Sequence, residues 1–391
     1  MQFDQAYFDA GIDRRNTRCE KWDDRGVMGP DGIPLWVADM DFPCAPAIVE
    51  AIRERAQHPC FGYSCDDPAD EEALRGYWLR RHQLHIAPGQ TVMLPCVITG
   101  LKAAVRTFTK EGEGVAIFTP VYGPFYEAVR ANGRQVVRVP LQADENGRYP
   151  MNLKGMEAAL KAGARLIMLC SPHNPVSRLW SQEELTALAE LAERYDVNIV
   201  CDEIHADFVY SPGAFTPLLS LKKARDRAVS LCSASKTFNV AGLQQAAAVV
   251  FSDAMRDALK RSLTAAGAAC GNTFALAATR AAYTDGDAWL DGLIAYLDRN
   301  RRSLADFVRE QLPKARLTPI EATYLAWLDL RAYGLSCREL TEKCRRHGVA
   351  FTAGTFFGPE GEGYLRVNFG CPHQQLIAGM ARLRDALKEE N

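Results

Sequence analysis

The sequence predicts an α/β protein: a large, doubly wound, mainly parallel sheet domain carrying a smaller α+β domain. Three observations point there. Five short apolar runs in the middle of the chain are separated by helical patterns, polar residues able to do chemistry follow four strand positions directly, and the alternation stops in roughly the last hundred residues.

The five runs are residues 115–118, 165–169, 197–201, 228–232 and 246–251. Each is apolar or β-branched without alternation, as strands covered on both faces are. Between the second and third, Ser181-Gln-Glu-Glu184 is a capping box. It opens a helix whose inward stripe is Leu185, Leu188 and Leu191 or Ala192. Beyond residue 285 the pattern changes to one long helix over 287–307, strands at 324–329 and 364–369, and an amphipathic helix over 374–388. Leu376, Ile377, Met380, Leu383 and Leu387 share one side of that last helix. The expected division is an N-terminal segment, 1–45, joining the small domain; a large domain, 46–285; and a small C-terminal domain, 286–391.

Composition narrows the function. With 391 residues, 48% hydrophobic and 24% charged, the chain can bury a real core, and disordered or low-complexity classes are excluded. Lys plus Arg number 46 against 48 Asp plus Glu, so no net field draws nucleic acid or acidic membranes. Apolar stretches such as 166–170 and 246–251 fall far short of the about 20 residues that span a bilayer. Asp4 stands where an export signal needs a basic and then an apolar region, so export is not expected. The 12 cysteines run from Cys19 to Cys371 without a C-x-x-C pair, which reads as reduced core thiols in a cytoplasmic protein.

Ligands of open α/β sheets bind at the carboxyl ends of strands. Tyr122 follows the first run, Asn174 the second, Asp202 and His205 the third, and Ser233 and Lys236 the fourth. An aromatic ring, an amide, a carboxylate and a lysine are what a cofactor with a protonatable ring nitrogen and an aldehyde requires, and pyridoxal phosphate fits all four. Taken singly, each has a plainer reading: Lys236 as a solvated lysine, Asp202 as a helix cap, Asn174 before Pro175 as a turn, Tyr122 as a half-buried ring, His205 as a satisfied core histidine. No phosphate-loop, nucleophile-elbow or H-E-x-x-H motif competes, and the seven histidines are not spaced with cysteines as metal ligands.

These residues, with Trp36-Val-Ala-Asp39-Met-Asp41-Phe42, Phe61-Gly-Tyr63-Ser64, Ser171-Pro-His-Asn174-Pro175, Asp202-Glu-Ile-His205, Ser233-Ala-Ser-Lys236-Thr-Phe-Asn239 and Arg366-Val-Asn-Phe-Gly370, are recognisable. The chain resembles fold-type I pyridoxal-phosphate enzymes of the aspartate aminotransferase superfamily, and within them the MalY/PatB group of cystathionine β-lyases. The resemblance implies that Lys236 forms the internal Schiff base, Asp202 pairs with the pyridine nitrogen, Asn174 bonds the ring hydroxyl oxygen and Tyr122 stacks on the ring. It implies a phosphate held by the N–H groups of Val97 and Ile98 and the Ser233 hydroxyl, with Tyr63 reaching across an obligatory homodimer to the phosphate and substrate. Arg366 resembles the residue that takes the substrate α-carboxylate.

The activity so implied is cleavage of cystathionine, or a related cysteine thioether, to a thiol, pyruvate and ammonia. Aminotransferases share the cofactor contacts and stay as the alternative, as does a regulatory role through contact with a transcriptional activator, for which no surface is marked. Two departures stand out. Asn174-Pro-Val-Ser177 has serine where many aminotransferases have glycine, and His205 stands where many have a tyrosine on the ring hydroxyl oxygen. Thr323-Tyr324 is a candidate lining of the side-chain pocket, or a buried strand tyrosine.

Overall fold

The computed structural model describes residues 2–24, 31–65, 67–268 and 272–388. Its larger sheet has seven strands: β1 (Thr91–Leu94), β2 (Gly114–Thr119), β3 (Gln135–Pro140), β4 (Ala164–Cys170), β5 (Asn198–Asp202), β6 (Ala228–Cys232) and β7 (Ala246–Val249). Their order is β1-β7-β6-β5-β4-β2-β3, and β7 alone runs opposite to the other six. Apolar cores form on both faces, which is why β2 and β4 to β7 are almost wholly buried.

The third predicted run is shifted by one residue, so Asp202 is the last residue of β5 rather than the first of a loop. The strand ends its ladder with Asp202 against Leu231, which pins the carboxylate to the sheet edge. The capping box at Ser181 and Glu184 forms, and Leu185, Leu188, Leu191 and Ala192 are all buried. Helix Val97–Phe108 comes so close to the sheet that a Cβ on Gly100 would lie 2.8 Å from the Leu94 and Leu231 side chains. That contact seats its N-terminus at the same edge as Asp202.

A second sheet is antiparallel and four-stranded, β10-β11-β9-β8, from β8 (Arg316–Leu317), β9 (Leu325–Asp329), β10 (Thr352–Ala353) and β11 (Tyr364–Asn368). Helices Asp287–Gln311, Cys337–Arg346 and His373–Lys388 accompany it. Tyr324 falls just outside β9, because Thr323 turns the chain at φ +64° and its hydroxyl caps the N–H of Leu325 at 3.2 Å. Near the start of the chain, Ile33–Pro34 pairs in parallel with Val349–Ala350. Among the described residues all 11 cysteines are free thiols, and no helix is long and apolar enough to cross a membrane.

Candidate active site at the carboxyl edge of the large sheet

Six of the predicted residues converge where β2, β4, β5 and β6 end and β11 passes over them. Ser233 caps a single helical turn, Ala234–Thr237, by accepting the N–H of Ser235 at 3.0 Å. The turn carries the Lys236 ammonium to the carbonyl of Ala38, to which it donates at 2.5 Å. Burial pushes the amine down to about 8; Asp39 and Asp202 pull it up, Arg366 and Lys21 down.

Asp202 is buried, and among the described residues its Oδ1 accepts only the N–H of Ile204, at 3.1 Å. No helix follows Asp202, so the plain reading of a helix cap does not hold; the carboxylate closes only a local turn. Burial nonetheless lifts the carboxyl to about 6, against the pull of Lys236. His205 is not a satisfied core histidine: it is buried against the rings of Phe208 and Tyr324, and its Nδ1 has no partner among the described residues. Burial, with the charges of Lys236 and Arg366, lowers it to about 3, so the ring is neutral at working pH.

Arg366, on β11, is buried, and among the described residues it meets no carboxylate and its Nε has no partner. One Nη donates to the Asn174 amide oxygen at 3.3 Å, the other to the Trp36 carbonyl at 2.7 Å and the Thr352 hydroxyl at 3.2 Å. Its guanidinium lies 4.9 Å from the Phe357 ring centre, and burial lowers it to about 10. Asn174 is thus tied to the arginine as well as turning the chain. Tyr122 is half-buried beside Phe356, and burial, opposed by Arg366, raises its hydroxyl pKa. Tyr324 is fully buried but stands outside the strand expected to hold it, and it donates to the Ala38 carbonyl at 3.0 Å, sharing that acceptor with Lys236.

Ser177, where many aminotransferases have glycine, is left-handed at φ +56°, with its hydroxyl donating to the Leu325 carbonyl. At the adjoining corner, Cys96 gives helix Val97–Phe108 no side-chain cap, leaving the Val97 and Ile98 N–H groups free of backbone partners among the described residues. Ser233 lies at that corner, its hydroxyl donating to the Gln245 carbonyl at 2.6 Å. Tyr63 is not with the others: it is fully exposed in the single chain.

Several working groups were not assigned a role from the sequence. The carbonyls of Trp36 and Ala38, the Thr352 hydroxyl and the Phe357 ring all touch Lys236 or Arg366. Asn239 was visible only as a letter of the lysine motif; it bonds the backbone of Met40 and Phe42.

A cavity of about 960 Å³ lies elsewhere, lined by Trp180, Tyr210, Arg301 and Ile320 among others, and none of the predicted site residues borders it. Its arginines are satisfied by acids: Arg148 by Glu321, Arg301 by Asp298, Arg309 by Asp306. Size alone does not mark the reactive site; unmet polar capacity does.

The family model for class I and II aminotransferases matches residues 30–383. Cystathionine β-lyase PatB of Bacillus subtilis is 39% identical, covering 97% of this chain and 99% of that protein. Protein MalY of Escherichia coli is 35% identical, covering 97% and 98%. The solved structure of the pyridoxal-phosphate-bound C-S lyase from Staphylococcus hominis superposes with a TM-score of 0.90 at 30% identity, covering 98% of each chain.

Proposed function

The chain belongs to the class I and II aminotransferase family, and from that premise we propose that it is a pyridoxal 5′-phosphate-dependent carbon–sulfur β-lyase, cleaving L-cystathionine or a related cysteine thioether to a thiol, pyruvate and ammonia. One observation carries the reading: Lys236, Asp202 and Arg366 meet at one edge, and among the described residues none forms an ion pair. Each keeps charge and hydrogen-bonding capacity for a ligand with a carbonyl, a basic ring nitrogen and a carboxylate.

The donor set fits that cofactor. Asp202, a buried carboxyl lifted to about 6, would be held as its anion by a ring N–H⁺. Asn174 and the neutral His205 suit the ring hydroxyl oxygen, and Tyr122 the ring face. With the Ser233 proton committed to Gln245, the phosphate reading rests mainly on the Val97 and Ile98 N–H groups. When bound, pyridoxal phosphate supplies an electron-accepting ring that makes the substrate Cα proton acidic and lets a Cβ thiolate leave.

The chain's residues do the rest. Arg366 offers a planar fork to the α-carboxylate, which would replace the Trp36 and Asn174 oxygens on its Nη atoms. Lys236, at about 8, is partly neutral near physiological pH and takes the Cα proton at Nζ. His205, held near 3, exchanges no proton in the working range.

The reading extends to a cytoplasmic homodimer in which Tyr63 reaches the site of a second copy, and the full exposure of Tyr63 and half exposure of Phe61 support the dimer. A large part at 46–285 and a small part at 286–391, joined by 1–45, belongs to the same proposal, supported by the pairing of Ile33–Pro34 with Val349–Ala350.

The test is to mix purified protein with L-cystathionine and measure pyruvate and free thiol together. Both should appear without any 2-oxo acid. Turnover only when a 2-oxo acid is supplied would overturn the lyase in favour of a transaminase.

A further inference from the structure

The segment from Trp36 to Phe42 is clamped more heavily than covering the core requires. Asn239 bonds the Met40 N–H at 2.9 Å and the Met40 and Phe42 carbonyls at 2.9 and 2.8 Å. Asn368 donates to the Val37 and Asp39 carbonyls. Asp41, 1% exposed, accepts from Lys21 at 2.9 Å, Arg14 at 2.9 Å, Trp22 at 2.9 Å and Gln375 at 2.8 Å. Lys21, wholly buried, also donates to the Asp39 carbonyl at 3.1 Å, and Arg14 grips the Asp39 carboxylate through both Nη atoms at 2.6 and 3.0 Å. The product of this clamping is a fixed pair of backbone acceptors: the Trp36 carbonyl on Arg366 and the Ala38 carbonyl on Lys236.

We propose that Lys21 and Asp39 are positioning residues for the reaction, holding the Ala38 carbonyl against Lys236 so that the ammonium formed on that lysine meets a preset acceptor. The inference rests on Lys236 being the base. In the step it serves, the Cα–H bond breaks, an N–H bond forms at Nζ, and the electron pair stays with the substrate. A preset carbonyl dipole stabilises the new charge without reorganising at that moment. The two residues also act on the amine with opposite sign: Asp39 favours its protonated form and Lys21 opposes it. The other charged groups facing Lys236 are Asp202 on β5 and Arg366 on β11, with Tyr324 on the shared carbonyl and His205 nearby.

Opposite charges give the test its discrimination. In the full chain before cofactor loading, the apparent pKa of Lys236 is read by competitive acetylation across pH and peptide mass spectrometry. If the Ala38 carbonyl is held for the ammonium, loss of either anchor removes a stabilising acceptor, so Asp39→Asn and Lys21→Met should both lower that pKa, by at least about half a pH unit, and Lys21→Arg should return it toward the parent value. No shift, or the opposite shifts that loss of the two charges alone would give, would overturn the proposal. Should Lys21→Met fail to fold, Asp39→Asn decides alone, since Asp39 is 20% exposed; an unmoved or raised value then sinks the idea. Lys236→Ala separates the two levels: if that variant still releases pyruvate, the base assignment fails, whereas a dead Lys236→Ala with unmoved labelling in the others removes only this inference.

Discussion

Arg178 and Arg366 are both buried arginines, and the chain treats them in opposite ways. Arg178, after β4, is fully paired: Glu184 at 2.6 Å, Glu321, and the carbonyls of Tyr149 and Leu179 at 2.8 and 2.6 Å, with the Trp180 ring below. Arg366, which bonds the segment that carries Lys236's acceptor, has two carbonyl-type oxygens, a hydroxyl, and an Nε with no partner among the described residues. The first is a knot that joins the turn after β4 to the approach to β9. The second holds a charge whose desolvation is only part-compensated, a cost a protein carries where a ligand will repay it.

The contrast can be broken in four ways. The largest effect should come from Lys236→Ala, which removes the proton acceptor and should cut pyruvate release by at least roughly 10³-fold while leaving the unfolding midpoint where it was. Next, Arg366→Leu should lower kcat/KM for cystathionine by about 10²–10³-fold, the scale of losing a charge-assisted pair, without destabilising the cofactor-free chain. Arg178→Met should do the reverse, costing about 3–5 kcal/mol in urea unfolding because Glu184 loses its cation and Glu321 is left with Arg148 alone, with the folded fraction still active. Equal destabilisation by the two would erase the distinction.

The third effect is a pH slope. Asp202 titrates near 6 when folded against 3.8 ordinarily, so its contribution to stability is fully present below about 3.8 and is lost as pH rises through 6. Cofactor-free Asp202→Asn should therefore gain on the parent between pH 4 and pH 7, by up to ~2–3 kcal/mol, measured as the difference in urea unfolding at the two values. A constant difference would mean that the carboxyl is not strained by burial. The smallest effect belongs to Ser177→Gly, which exchanges a hydrogen bond to Leu325 for relief of left-handed backbone strain; stability should change by less than about 1 kcal/mol, with pyruvate release unaltered.

The sequence was most informative where burial is complete. β4 to β7 could be read because apolar side chains fill both faces, while β1 and β3, at the sheet edges with partly exposed alternate residues, leave no continuous run. Lys236, Asp202, Asn174 and Tyr122 were legible because each is a polar residue placed directly after such a run. The carbonyls of Trp36 and Ala38 were not, because a backbone oxygen carries no residue signature. The Arg178 knot was hidden for a different reason: Glu321 lies 143 positions from its partner, and nothing local marks the pairing. Ser177 concealed a left-handed turn because serine, unlike glycine, does not advertise one.

Asp41 draws its four donors from Arg14, Lys21, Trp22 and Gln375, so one carboxylate binds the first two dozen residues to the last helix. This sets an order of events during synthesis. The strands that carry Asp202 and Lys236 are complete by residue 250, but the lock on the segment facing that lysine closes only after Gln375 has been made. A nascent chain halted between those points would hold a nearly whole sheet and an incompletely aimed amine. The working geometry of the site is therefore acquired later than the sheet that carries it.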